Sequence, residues 1–172
     1  NLKIDEDEIV IRLFEPTDPI TEITKLLHRS YKQLADMGFR YLATHQDESE
    51  TERRLNNGIS YLALINDRII GTVSLYYGRV KGHDADFYNK EYVAHFGQFA
   101  VDPEYQKKGI GNIMMDLIEE KAKSLGAKEI ALDTADGAAH LIKYYEKREY
   151  RFIEHVNWKV TNYRSIIMSK RL

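Results

Sequence analysis

The sequence predicts a mixed α/β fold, a sheet carrying helices on both faces. Three observations support this. Short β-branched and apolar runs alternate with longer segments whose apolar residues recur at helical spacing. Two of the runs, Ile59 to Ile65 and Ile69 to Tyr77, flank Asn66-Asp67-Arg68, which is hairpin chemistry. A third run, Glu91 to Val101, leads through Asp102-Pro103 and a glycine-containing loop straight into an amphipathic helix.

Taken in order, Ile9 to Phe14 is β-branched and reads as the first strand. Asp18-Pro19 has the form of an N-cap followed by proline at the first helical position. Ile20, Ile23, Leu27 and Leu34 then mark a helix to about Met37, with Gly38 as its stop. The charged stretch Asp47 to Asn57 reads as a second helix and the hairpin follows it. Gly78 to Lys90 is polar and reads as a loop; its His83-Asp84-Ala85-Asp86 lacks a second cluster at ligand spacing, so a solvated loop is expected there and no metal.

After the Glu91–Val101 strand, Ile110, Ile113, Met114, Leu117, Ile118 and Leu125 give the next helix an apolar face. Lys128 to Asp133 reads as a strand, and Asp136 as the cap of a short helix to about Lys147. Tyr150 to Val160 and Asn162 to Met168 read as a closing antiparallel pair around Thr161-Asn162. No repeat or linker interrupts this order, so residues 1–172 are expected to form a single domain.

Composition excludes several function classes. Apolar residues make up 43% and charged residues 30%, as in ordinary globular proteins. A formal net charge of −2 argues against binding nucleic acid through a dominant basic surface. The absence of cysteine removes a disulfide framework, a thiolate metal site and an acyl-cysteine intermediate. Asn1 to Glu8 is polar and acidic, with no signal-peptide apolar core, and no run is long enough to span a bilayer; a cytoplasmic protein without membrane contact is the simplest expectation.

The chemistry concentrates between Phe96 and Asn112. Gly109 and Gly111 let the backbone approach a bulky anion, their amides lie at the positive end of a helix dipole, and Lys107 and Lys108 stand beside them. A dinucleotide fingerprint would need a third glycine at Met114, and a phosphate loop of the Walker type would need Gly-Lys-Ser/Thr; neither is present.

Gln106-x-x-Gly109-x-Gly111 after a strand, with Pro103 before it, a helix after it and Tyr145-Glu146-Lys147 downstream, resembles the acetyl-CoA loop of the GNAT N-acetyltransferase superfamily. The resemblance implies a mostly antiparallel sheet splayed at its centre and an enzyme that moves an acetyl group from acetyl-CoA to a primary amine by direct attack in a ternary complex. It implies that Gln106, Lys107, Lys108, Gly109, Ile110, Gly111 and Asn112 hold the coenzyme A pyrophosphate, and that Phe99, Ala100 and Val101 run beside the pantetheine arm. The acceptor would be a small-molecule or peptide amine, and homodimers are common in the family.

By the same resemblance Tyr145 is the candidate acid that protonates the departing thiolate, a phenol with a reference pKa of ~10 facing a thiol of ~8.5, positioning a proton more than driving its transfer. A base is needed because an alkylammonium near ~10.4 cannot attack while protonated. Many relatives carry a glutamate eleven residues before the motif glutamine, and that position is His95 here, with an ordered water chain oriented by Gln98 as the competing route. Two positions depart from the family pattern: Glu149 replaces a glycine after the second helix, and Ala138 replaces an asparagine seven residues before Tyr145. They leave open a non-catalytic acyl-CoA sensor on the same fold.

Overall fold

The computed structural model describes residues 3–78 and 85–172, so His83 and Asp84 lie outside the described residues. A two-residue β1 (Lys3–Ile4) precedes β2 (Asp7–Leu13), followed by α1 (Ile20–Asp36) and α2 (Glu48–Asn56). The hairpin is β3 (Ile59–Ile65) and β4 (Arg68–Tyr76), joined through Asn66 and Asp67, whose φ of 48° and 65° are the two left-handed residues that a tight hairpin turn requires. Then come β5 (Val93–Val101), α3 (Ile110–Ser124), β6 (Glu129–Ala135), α4 (Ala139–Lys147), β7 (Arg151–Val156) and β8 (Ser165–Arg171).

The strands form one sheet in the order β1-β2-β3-β4-β5-β6-β8-β7. Every neighbouring pair is antiparallel except β5 and β6, which are parallel. The helices divide between the faces as the two apolar cores require. Ile23, Leu26 and Leu27 of α1 and Leu55 of α2 pack on Leu62 and Ile69. On the other face Ile110, Met114, Met115 and Ile118 of α3 join Val73, Leu75, Phe96 and Ile130, and Tyr145 of α4 lies in the same cluster.

The splayed centre is a matter of register. β5 and β6 pair only over Val93–His95 with Glu129–Ala131. Beyond that point β5 stays bonded to β4 as far as Val101 with Gly71, and β6 stays bonded to β8 as far as Ala135 with Ser165. Each half of the sheet therefore continues while the seam between them opens. A β-bulge lies at the point of divergence: Thr72 and Ser74 face Ala100 and Gly97, so Gln98 and Phe99 together oppose Val73, and Gln98 takes φ of 50°. The extra residue bends β5 away from its parallel neighbour.

Four sequence expectations are corrected here. Asp18 does not cap α1; Pro19 holds that position without a side-chain bond, while Asp18 accepts from the Glu15 N–H at 2.7 Å and pairs with Arg12 at 2.7 Å. Asp136 does not cap α4, which starts at Ala139 with Ala138 as its N-cap; Asp136 pairs with Arg164 at 2.8 Å instead. Both acids found a nearby arginine, and a charge-assisted pair outcompetes a lone capping bond. Residues 85–90 are not simply a solvated loop, because the short turn Asp86–Asn89 buries Phe87 and Tyr88. The first closing strand is shorter than expected, the second lies three residues later at Ser165–Arg171, and residues 157–164 join them.

Candidate functional site

The open seam is the floor of a cleft of about 600 Å3, lined by α1, residues 41–43, α2, β5, the loop before α3, β6, α4 and the 157–164 segment. Its size is that of a small-ligand site. At one end stands the N-terminus of α3. Gly109 caps the helix at φ 90°, Lys107 has φ 63°, and the Ile113 N–H donates to the Gly109 carbonyl at 3.2 Å. Helix geometry therefore leaves the N–H groups of Ile110, Gly111 and Asn112 without intrahelical acceptors. Alternation of left-handed with right-handed backbone also curls successive amides toward a common point, an arrangement suited to anions.

The two glycines meet different demands. A Cβ on Gly109 would touch nothing within 4 Å, so glycine is needed there for its positive φ. A Cβ on Gly111 would lie 3.4 Å from the Phe99 ring, 3.8 Å from Val101 and 3.9 Å from the Tyr144 hydroxyl, so glycine there keeps space open between loop and strand.

Along β5 the backbone alternates. The Asp102 N–H bonds the Ile70 carbonyl of β4 at 2.7 Å, and Ala100 is paired with Thr72, so Phe99 and Val101 turn their backbone groups to the seam. Their carbonyls are already occupied. The Tyr31 hydroxyl donates to Phe99 at 2.9 Å, and Ser30 and Gln106 donate to Val101 at 3.2 and 2.9 Å. The N–H groups remain as donors along an edge that β6 has left.

The structure thus gathers most of the expected loop and strand residues at the cleft, in differing roles. Phe99, Ala100, Val101, Gln106, Lys107, Gly109, Gly111 and Asn112 line it. Ile110 is a core anchor, 1% exposed, and can offer only its backbone. The Gln106 side chain is spent on Val101, and the Asn112 side chain accepts from Tyr144 at 2.7 Å, tying α3 to α4. Lys108 does not line the cleft and lies 3.7 Å from Asp5.

Tyr145 lies in the wall with its ring edge-on to Tyr144 and Tyr150 at centroid distances of 5.2 and 5.7 Å. Its hydroxyl has no hydrogen-bond partner among the described residues and is not sealed from solvent, so it opens on the cleft. Burial, with smaller contributions from neighbouring phenols and Asp133, pushes its pKa well above the ordinary phenol value. The position of α4 is fixed by buried Glu119 of α3, which takes bonds from Arg148 at 3.1 Å, Tyr150 at 2.9 Å and Lys170 at 2.7 Å. Glu149 occupies φ 73°, the conformation that a glycine would hold without strain.

His95 is elsewhere. It stacks between Tyr88 at 4.3 Å and Tyr76 at 5.1 Å, at the last paired position before the seam opens, and is not among the residues lining the cleft.

Several lining residues carried no motif. Tyr31 extends the apolar stripe of α1, four residues after Leu27 and three before Leu34, a signal the sequence did contain. Tyr41, Tyr163 and Trp158 form an aromatic wall, and Asp133 of β6 accepts from the Tyr88 hydroxyl at 2.7 Å and the Trp158 indole at 3.0 Å. Gln46, buried, links Gln98 at 2.7 Å to Arg54 of α2 at 2.8 Å. The Gln98 side-chain nitrogen is buried without a partner.

A comparison with known families decides the relationship. Residues 20–150 match the model described as the acetyltransferase (GNAT) family. The chain belongs to the GNAT acetyltransferase family. Among curated GNAT relatives, an S-(2-succino)cysteine N-acetyltransferase of Bacillus subtilis is 30% identical over 133 residues, 75% of this chain and 76% of that protein. A GNAT family acetyltransferase of Elizabethkingia anophelis, solved with acetyl-CoA bound, superposes with a TM-score of 0.67 at 20% identity over 97% of this chain and 100% of that one. A Bacillus subtilis acetyltransferase solved with CoA superposes with a TM-score of 0.65 at 21% identity, covering 96% of this chain and 99% of that one. At those identities the two structures share the GNAT fold with this chain.

Proposed function

We propose that the protein is an N-acetyltransferase that uses acetyl-CoA and acetylates a primary amine by direct attack within a ternary complex. One observation carries the reading: the anion-ready N-terminus of α3, the unpaired donor edge of β5 and the open Tyr145 hydroxyl all face a single cleft. Coenzyme A fits these residues by chemistry. Its diphosphate matches the amides of Ile110, Gly111 and Asn112, and its amide-bearing arm matches the N–H groups of Phe99 and Val101, with Gly111 leaving the passage clear.

Bound acetyl-CoA supplies an activated acyl carbon and a thiolate leaving group, so that an alkylammonium and the thioester become an amide, a thiol and one released proton. The chain's part is positioning and charge. Fixed N–H donors beside the β5 bulge stabilise negative charge on a carbonyl oxygen without reorganising. Tyr145 supplies a hydrogen bond to sulfur; because burial raises its pKa, it stays protonated and donates that bond without giving up its proton. Of the two protons that the ammonium loses, one passes through water in the open cleft to the thiolate and the other is released to solvent. With no cysteine in the chain, no acyl-cysteine step is available.

The test is thiol release from acetyl-CoA across amino acids, polyamines, aminoglycosides and peptide N-termini, with S-(2-succino)cysteine first because of the relative that carries its name. Amine-dependent release supports the transferase. Tight CoA binding without release by any amine would favour the sensor, and stronger competition by ATP than by CoA would end both.

A further inference from the structure

Arg54 lines the cleft from α2 and is half-buried, yet no carboxylate lies within salt-bridge distance of it among the described residues. Its neighbour Arg53 takes the local acid, Glu50. One arm of Arg54 donates to the buried Gln46 at 2.8 Å, and Gln46 is itself braced by Gln98 and Thr51 at 2.7 and 2.8 Å. The other arm reaches over Gly97, where a Cβ would come within 3.0 Å of the Nη2 atom. Gly97 sits on β5 beside the bulge, so the cation is held over the place where the strands part. A guanidinium held there by a buried amide chain, with no carboxylate within salt-bridge distance among the described residues, is placed to meet a negatively charged ligand.

Asp133 on β6 is the complementary charge on the other side of the seam, fixed by Tyr88 and Trp158. The Tyr31 phenol feels both charges: burial raises its pKa, Arg54 opposes that rise and Asp133 adds to it. The acceptor end of the cleft is therefore dipolar, and the aromatic rings of Tyr31, Tyr41 and Tyr163 are part of its lining. A polyamine would set one of its cations against Arg54.

We propose that the acceptor is an amine that also bears a carboxylate, an amino acid or its close derivative, with the carboxylate held by Arg54 and the ammonium end turned toward Asp133. This rests on the acetyltransferase reading above and specifies its substrate class. A planar guanidinium suits a carboxylate because it presents two parallel donors.

The experiment compares L-phenylalanine, L-methionine and L-glutamate with their α-amides and with the corresponding decarboxylated amines, in wild type, Arg54→Gln and Arg54→Lys. In wild type the acids should exceed amides and amines by about 10- to 100-fold in kcat/KM, the range of a charge-assisted hydrogen bond. Arg54→Gln should erase that preference by raising KM for the acids alone, with KM for acetyl-CoA held within about twofold; Arg54→Lys should restore part of it. Circular dichroism and CoA affinity confirm that each variant is folded. Equal use of acids and amides, a preference for polyamines, or an equal kcat loss with every acceptor in Arg54→Gln would each overturn the proposal while leaving the acetyltransferase reading intact. Failure of every amine in the wild type would instead defeat the parent reading.

Discussion

Replacing Gly111 with alanine should separate folding from cofactor binding. The residue is the second in α3 and its φ is not positive, so alanine meets no backbone strain there. The added Cβ would stand 3.4 Å from Phe99 and farther from Val101 and Tyr144, which is ordinary contact. Alanine in a helix is favoured over glycine by about 0.5–1 kcal/mol, so the unliganded protein should melt at the same temperature or a few degrees higher. The same methyl narrows the passage between the α3 amides and β5. Forcing a ligand past an extra methyl costs about 1–3 kcal/mol, which is roughly 5- to 150-fold in affinity. Titration calorimetry with CoA, run beside a thermal melt, reads both quantities. A variant that binds CoA as tightly as wild type would refute the idea that the ligand lies between Gly111 and Phe99, and a large fall in melting temperature would mean that the lost affinity is only lost structure.

Other consequences are as direct. Tyr145→Phe removes a hydroxyl that bonds nothing among the described residues, so stability and CoA affinity should hold while kcat falls about 100-fold or more in a stopped-time thiol assay; unchanged kcat would remove Tyr145 from the chemistry. Glu149→Gly relieves a left-handed glutamate at φ 73° and should raise stability by about 1 kcal/mol, or roughly 2–4 °C in melting temperature, whereas a lower value would mean that the exposed Glu149 side chain matters more than its backbone. Burial raises the pKa of Tyr31, Tyr88, Tyr145, Tyr150 and Tyr163, so the folded chain holds those protons more tightly than the unfolded chain does. Their contribution to stability is complete below the unfolded phenol value near ~10 and is lost as pH climbs above it. Ultraviolet titration should show the surface tyrosines ionising first and the buried set only with cooperative unfolding, and a single smooth step for all 12 tyrosines would contradict this.

The parts of the fold visible in the sequence were those fixed by local chemistry. Asn66-Asp67 specified the hairpin because only a few residue types accept two successive positive φ values. Gly109 and Gly111 marked the loop because one supplies a left-handed cap and the other an absent side chain. Decisions among competing partners were hidden. Asp18 and Asp136 had the right type and position for helix caps, and arginines brought near by the fold took them instead. Phe87 and Tyr88 disappeared into a stretch whose average is polar, although they roof the closed end of the seam. His95 was placed by counting residues, which gives a position along β5 but says nothing of the two rings that enclose it. Arg54 carried no motif, since its significance lies in having no acid partner among the described residues.

If the α3 amides and the open edge of β5 hold coenzyme A together, a titration of 15N-labelled protein with CoA should move the amide signals of Ile110, Gly111 and Asn112, with those of Phe99 and Val101, furthest and saturate them together. Saturable binding that leaves those five unmoved, or that shifts the Arg12–Asp18–Arg68 surface on the far side of β4 instead, would contradict it.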